Sequence, residues 1–276
     1  MKTMKCLTYL GLTALLSLAL TGCLSMIKHE PRLAPATSST GSINGHRGNT
    51  AERAKALTNL GAALLAAGEP HKALPELLDA RKLDPKNSDL DNYIGQAYYG
   101  MKEYELAVEN YTRALEQAPQ RTDIRNNLGL AYLDLKKYDL ALAEFNLCLK
   151  DLVYQSKEKP LCNMGLAYMA MGEYDQAMTV LRRATEVAPN YAKSYQLIGL
   201  VHMAEGRTKE AVDYLNNAVK LNPGDPETLM ALGDAQTRAG HREEAAQAYS
   251  RAAALVPNSP VALEAQKRAR QAMGFD

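Results

Sequence analysis

Apolar residues recur along most of the chain at the spacing of amphipathic helices, and one pair among them returns at a fixed distance. A large aliphatic residue or methionine followed by glycine occurs six times, with glycines 34, 34, 36, 34 and 34 residues apart. These glycines are Gly61, Gly95, Gly129, Gly165, Gly199 and Gly233. Such a period indicates one small supersecondary unit repeated in tandem.

Two further positions keep the same period. Twelve residues after each glycine stands an alanine: Ala73, Ala107, Ala141, Ala177, Ala211 and Ala245. Another twelve residues on stands a proline, namely Pro85, Pro119, Pro189, Pro223 and Pro257, with Val153 in its place in the third copy. The pattern resembles the tetratricopeptide repeat and fits six copies over residues 54–259.

The resemblance implies an all-α fold, in which each repeat is a pair of antiparallel helices. The glycine of the first helix and the alanine of the second let the two backbones approach closely. A large residue beside each glycine fills the remaining space: Leu77, Tyr111, Phe145, Leu181, Leu215 and Tyr249. Stacked repeats form a right-handed superhelical solenoid. We expect residues 260–276 to add a C-terminal capping helix that keeps the last repeat soluble.

The N-terminus has the composition of a secretory leader. Lys2 and Lys5 precede a mostly apolar stretch over residues 7–20, which is too short to span a bilayer. Leu20-Thr21-Gly22-Cys23 follows it and resembles the lipobox of bacterial lipoproteins. The resemblance implies cleavage after residue 22 and a lipid anchor on Cys23. Because Leu24 rather than aspartate follows the cysteine, it also implies the periplasmic face of the outer membrane.

We expect residues 23–53 to form a flexible tether between the anchor and the repeats. The segment is rich in serine, threonine, glycine and proline and has no helical periodicity. A flexible chain of this length reaches roughly 30 Å. The folded part can therefore stand clear of the membrane.

Composition and motifs argue against catalysis. The formal net charge of +1 does not suit an electrostatic nucleic-acid binder. The five histidines are scattered, and no phosphate-binding loop, nucleophile elbow or metal-ligand spacing is present in the sequence. His202 occupies a packing position of the fifth repeat, which favours a structural role. We therefore predict a protein that is not an enzyme and needs no cofactor.

Two cysteines remain after leader removal and lipidation. Cys148 falls late in the third repeat and Cys162 early in the fourth, at the junction that has two extra residues and lacks the proline. An even pair in an oxidising compartment predicts a disulfide across this junction. The alternative is a pair of buried thiols that pack as small apolar residues.

A partner-binding groove is predicted from the ninth and twelfth positions of the repeats. In tetratricopeptide domains the ligand usually lies against the first helices. Here these positions in repeats three to five are aliphatic or methionine, and repeat two adds two tyrosines. The predicted groove residues are Tyr93, Tyr99, Leu130, Leu133, Leu166, Met169, Leu200 and Met203. If exposed, they form an apolar stripe for a protein segment; the alternative is that they pack against one another.

A second mode of binding has weaker support. Some tetratricopeptide domains clamp a peptide carboxylate with lysine, asparagine and arginine. Asn127, Lys159, Asn163 and Lys193 stand at similar places, but no three repeats hold the full set.

Six such repeats behind a lipobox resemble the type IV pilus biogenesis lipoproteins of the PilF/PilW/Tgl type, called pilotins. The local resemblance is the irregular junction over residues 148–165, whose extended stretch replaces the regular proline turn. The resemblance implies a non-catalytic, membrane-anchored protein that assists assembly of an outer-membrane secretin. The alternative is a periplasmic adaptor for cell-wall enzymes or other envelope complexes.

Overall fold

The structure is a computed structural model that describes residues 50–275. The predicted leader, the lipidation site at Cys23 and the tether up to residue 49 lie outside the described residues. Residues 50–53, which the sequence assigned to the tether, are helical and begin the first helix.

The described residues form thirteen α-helices and no strand. In chain order they are α1 (Thr50–Ala66), α2 (Pro70–Leu83), α3 (Ser88–Gly100), α4 (Tyr104–Gln117), α5 (Thr122–Asp134), α6 (Tyr138–Lys150), α7 (Glu158–Met171), α8 (Tyr174–Val187), α9 (Ala192–Ala204), α10 (Thr208–Leu221), α11 (Pro226–Ala239), α12 (Arg242–Leu255) and α13 (Pro260–Ala272). Odd-numbered helices up to α11 open the six repeats, and α13 follows the last. The all-α tetratricopeptide fold predicted from the sequence is confirmed.

The helices belong to two compact units, which divide between residues 148 and 149, in the last turn of α6. The sequence predicted a single array over residues 54–259 and did not indicate this division. Within each unit, consecutive helices pack as antiparallel neighbours, and first helices of adjacent repeats also touch: α1 with α3 and α3 with α5 in the N-terminal unit, and α7 with α9, α9 with α11 and α11 with α13 in the C-terminal unit. First helices thus line one face of each unit, the first-helix face.

In each repeat, the glycine of the first helix packs against the large side chain of the second helix that lies sixteen positions later. A methyl group on Gly95 would lie 2.6 Å from Cε1 of Tyr111, and one on Gly165 would lie 2.6 Å from Cδ2 of Leu181. Both partners are fully buried. Only a glycine permits this approach, as the sequence pattern predicted.

Local signals set where the helices begin and end. Asn87 and Asp225 accept hydrogen bonds from backbone N–H groups in the first turns of α3 and α11. Gly172 and Gly240 end α7 and α11 in the left-handed conformation, as predicted for turn glycines. The third repeat has no proline turn, and residues 151–157 are non-helical between α6 and α7. This stretch is called the junction loop below.

Candidate functional site

The predicted apolar groove is mostly buried. Six of its eight residues are between 2% and 9% exposed: Tyr99, Leu130, Leu133, Leu166, Met169 and Met203. Tyr93 and Leu200 are partly buried. The prediction of an exposed apolar stripe is therefore wrong, and the burial agrees with the packed alternative.

The physical reason is clearest in the C-terminal unit. Met203 on α9 belongs to one apolar cluster with Leu229 and Met230 of α11, and Leu200 packs against that cluster. The ninth and twelfth positions of a repeat thus fill the space between neighbouring first helices. Apolar residues there contribute to the core instead of forming a surface.

The two tyrosines of the second repeat have different environments. Tyr93 packs against the core of the first two repeats, and its burial raises the pKa of its hydroxyl. Tyr99 is buried, stacks edge-on against Tyr104 at 5.4 Å between ring centroids and donates a hydrogen bond to Asp134. Burial raises the pKa of the Asp134 carboxyl, and the Tyr99 hydrogen bond partly offsets this.

A polar pocket opens on the first-helix face of the N-terminal unit. Its volume is about 710 Å³, and it lies between α1 and the start of α3, beside the turn that ends α2. It is lined by Thr50, Ala51, Ala54, Lys55, Thr58, Asn59, Leu83, Asp84, Asn87, Asp89 and Tyr93. Most of its polar side chains are neutral groups that can form hydrogen bonds. The wall formed by α1 carries one positive charge, on Lys55, and the opposite wall carries two negative charges, on Asp84 and Asp89.

An ion-pair network fixes the acidic wall. Arg121 donates from Nη1 to Asp89 at 2.6 Å, across 32 residues of sequence. It also donates to Asp123, from Nη2 at 2.7 Å and from Nε at 2.8 Å. Burial raises the pKa of the Asp123 carboxyl, but the hydrogen bond from Arg121, the positive charge of Arg121 and two backbone N–H groups together hold that pKa below its usual range. Asp84 accepts a hydrogen bond from Asn87 at 2.9 Å.

The polar character continues along the N-terminal unit. Asn127 on α5 donates to Asn92 on α3 at 3.3 Å, so the amides of neighbouring first helices already pair. A side-chain amide offers one donor group and one acceptor, the same pair that a peptide bond presents. The bonded amides therefore tie the first helices of the second and third repeats together.

The first-helix face of the C-terminal unit holds two charged contacts. Lys193 lies 3.9 Å from Glu227, whose pKa is raised by burial and lowered in part by that lysine. Asp234 accepts from Tyr249 at 2.7 Å and from Arg268 of α13 at 2.7 and 2.9 Å. The second contact fastens the predicted capping helix to the sixth repeat.

The four residues at clamp-like positions do not form one described site. Asn127 is in the N-terminal unit, whereas Lys159, Asn163 and Lys193 are in the C-terminal unit. Asn127 bonds to Asn92 and Lys193 pairs with Glu227.

Cys148 and Cys162 are both buried, and they lie in different units. The Cys148 Sγ donates to the Thr122 carbonyl oxygen at 3.5 Å, within the N-terminal unit. The Cys162 Sγ lies 3.3 Å from the Ser194 Oγ, within the C-terminal unit. Each sulphur thus has a hydrogen-bonding neighbour in its own unit, and the disulfide across the junction stays a prediction.

His202 packs as the sequence predicted. It is buried and stacks on Tyr214 with 5.2 Å between ring centroids and 24° between the planes. Among the described residues neither ring nitrogen has a hydrogen-bond partner. Burial, and then the charge of Arg207, lower the pKa of the ring.

Across residues 50–275 no group of three or more histidine, cysteine, aspartate or glutamate side chains is arranged to hold a metal ion. In the same range, every helix is too short or too polar to cross a bilayer.

The sequence did not reveal the pocket, because the predicted groove was drawn from the ninth and twelfth positions of the repeats, with Tyr93 as its one residue at a sixth position. The second, fifth and sixth positions of repeats one and two are Lys55, Thr58, Asn59, Asp89 and, among others, Tyr93. Counting these polar positions as well would have indicated a polar binding face at the N-terminal end of the array.

Helical pairs of 34 residues, each closed by a glycine against a large side chain, define a tetratricopeptide-repeat protein. More specifically, the chain belongs to the family of the cilia and flagella-associated protein 70 C-terminal domain, whose model matches residues 48–273. No curated protein sequence matches the chain significantly.

Solved structures of other tetratricopeptide proteins share the fold. PilW, described as a widely conserved type IV pilus biogenesis factor, is 21% identical, with a TM-score of 0.65 over 76% of this chain and 97% of PilW. PilF of Pseudomonas aeruginosa is 21% identical, with a TM-score of 0.61 over 79% of this chain and 98% of PilF. A tetratricopeptide protein of Parabacteroides merdae is 19% identical, with a TM-score of 0.67 over 78% and 84% of the two chains. At such identities the likeness shows the fold alone.

Proposed function

We propose that this chain is a lipid-anchored, non-catalytic scaffold that binds an outer-membrane secretin and assists its assembly in type IV pilus biogenesis. The observation that carries the proposal is the shared fold with PilW and PilF, which extends over 97% and 98% of those proteins. The predicted leader over residues 1–22 and the predicted lipid anchor on Cys23 support it, because a protein that acts on an outer-membrane pore has to be held at that membrane. The site of action is the periplasmic face.

The pocket between α1 and α3 is the partner site in this proposal. The predicted apolar stripe is not the partner site in this proposal, because six of its eight residues are buried in the core. The pocket has room for a few residues of an extended chain. The Asn59 amide supplies a donor and an acceptor for a peptide backbone. The Thr58 hydroxyl, which donates to the Ala54 carbonyl, adds an acceptor, and Asn87, which already bonds to Asp84 and to the Asp89 N–H, adds its second amide N–H. A bound segment with an acidic and a basic residue would place the acidic one at Lys55 and the basic one at Asp84 and Asp89, which sets the direction in which the segment lies.

The biological test is deletion of the gene. In the deletion strain we expect loss of secretin multimers on a heat-resistant gel, with secretin monomer still present. Normal multimers together with altered cell shape or peptidoglycan would instead indicate the periplasmic adaptor for cell-wall enzymes. Complementation with Cys23→Ser tests the anchor, since a chain held at the membrane only by lipid then fails to restore the multimers at native expression.

The pocket is tested by complementation with Lys55→Glu combined with Asn59→Ala. Both side chains line the pocket and lie on exposed positions of α1, so the fold is expected to tolerate the changes. The matched control is Lys72→Glu, an exposed lysine on α2 that does not line the pocket. Loss of multimers with the first variant and not with the control supports the pocket, and full activity of the first variant rejects it.

A further inference from the structure

The junction loop carries the most exposed pair of large apolar side chains in the described chain. Leu152 is 87% and Val153 is 79% exposed, and the two are adjacent. Other exposed large apolar residues lie on helices or near the C-terminus. Two neighbouring residues of this kind at the tip of a loop lose contact with water only when something outside the chain covers them.

The loop holds this tip in a defined turn. The Asp151 carboxylate accepts a hydrogen bond from the Val153 backbone N–H at 3.0 Å. The Gln155 side-chain amide donates to the Val153 carbonyl at 3.1 Å. Polar groups of the loop therefore satisfy one another locally, and the apolar side chains project from a turn that is already formed.

The chemistry around the tip favours a lipid surface over a protein pocket. Leucine and valine are under-represented among the anchor residues of protein interfaces, and lysine is depleted from interface cores. Here three lysines flank the tip, Lys150, Lys157 and Lys159, against the two acids Asp151 and Glu158. Lysines beside a small apolar tip instead complement a bilayer, where the apolar groups enter the acyl region and the ammonium groups meet anionic headgroups.

We propose that the junction loop inserts Leu152 and Val153 into the lipid surface to which the chain is anchored. The inference rests on the proposed anchor at Cys23, whose tether, with a reach of roughly 30 Å, holds the start of the folded part beside the bilayer. Acyl chains on Cys23 attach the protein, and the loop fixes which side of the C-terminal unit faces the lipid.

The experiment uses tryptophan as a site-specific reporter, because the chain contains none. The full lipidated chain with Leu152→Trp is reconstituted into vesicles of phosphatidylcholine and phosphatidylglycerol, with and without brominated acyl chains. We expect a blue-shifted emission that loses intensity with the brominated lipid. The control is Leu263→Trp on α13, which is also exposed, at 66%; we expect its emission to stay unshifted and unquenched.

Co-sedimentation of the same samples separates failure of the loop from failure of the anchor. If the chain sediments with vesicles but Trp emission at position 152 is unquenched, the loop proposal is overturned and the anchor stands. If the chain neither sediments nor shows quenching, both are overturned. A blue shift that requires purified secretin and is absent with vesicles also overturns the lipid contact and assigns the loop to a protein interface.

Discussion

The Gly129 α-carbon on α5 faces the ring of Phe145 on α6 so closely that a methyl group there would lie 2.5 Å from Cε1. Phe145 is fully buried, so its ring has no solvent-exposed space to move into. The pair joins the two helices of the third repeat, and the corresponding pairs do the same in the other five.

We therefore expect Gly129→Ala to destabilise the protein by about 1–3 kcal/mol through overpacking, although alanine by itself favours a helix by about 1 kcal/mol over glycine. Urea unfolding followed by circular dichroism gives the free energy of unfolding. Gly224→Ala is the matched control, because the nearest atom to its added methyl lies 3.8 Å away. Equal stability of the two variants would contradict the tight contact, and Phe145→Leu should partly rescue Gly129→Ala.

Lys102 and Lys136 occupy the turn position that is glycine in the other four repeats, with φ of 64° and 58°. A left-handed backbone costs a residue with a side chain roughly 1–2 kcal/mol. After the greater backbone freedom of glycine in the unfolded chain is subtracted, each lysine-to-glycine change should stabilise by about 0.5–1 kcal/mol. Lys137 is the next residue and does not have a positive φ, so the control variant Lys137→Gly should destabilise the protein. The melting temperatures of the three variants test both expectations.

Asp91 on α3 is 1% exposed and accepts from Gln117 at 2.7 Å, with Arg81 at 3.3 Å and Arg113 Nε at 3.1 Å. Removing one member of a buried ionic cluster leaves the other charges without a partner. We expect Asp91→Ala to lower the free energy of unfolding by about 3 kcal/mol. Asp79→Ala, which breaks an exposed pair with Lys82, should leave the urea midpoint unchanged.

Buried His202 should make the stability of the folded protein depend on pH. Because burial holds its pKa in the folded protein below the value of about 6.5 for an exposed histidine, the unfolded chain binds the proton more readily. The contribution of neutral His202 to the free energy of unfolding is therefore complete above about pH 6.5 and is lost as the pH falls below that value. We expect His202→Phe to reduce the fall in urea midpoint between pH 7.5 and pH 5. An unchanged pH profile in this variant would show that His202 is not responsible.

The fold followed from the sequence because its signals are local and repeated. The spacing of Gly129 and Phe145, for example, needs no knowledge of distant residues. The burial of Leu166 and Met203 did not follow, because an apolar residue on a first helix looks the same in sequence whether it faces solvent or the next first helix. The left-handed turn at Lys102 was hidden because lysine gives no sign of that conformation.

The polar pocket depends on pairings between repeats. Arg121 contacts Asp89 across 32 residues, and a single sequence does not show which charges meet at that distance. The thiol neighbours of Cys148 and Cys162 are also set by packing and not by spacing, whereas the sequence could only count the cysteines.

Each of the six repeat glycines meets its bulky partner sixteen residues downstream, inside its own hairpin. Deleting or duplicating one whole hairpin consequently leaves all remaining pairs of this kind intact. Natural relatives can thus gain or lose length in steps of 34 residues, and this protein offers the same freedom to anyone shortening or extending it.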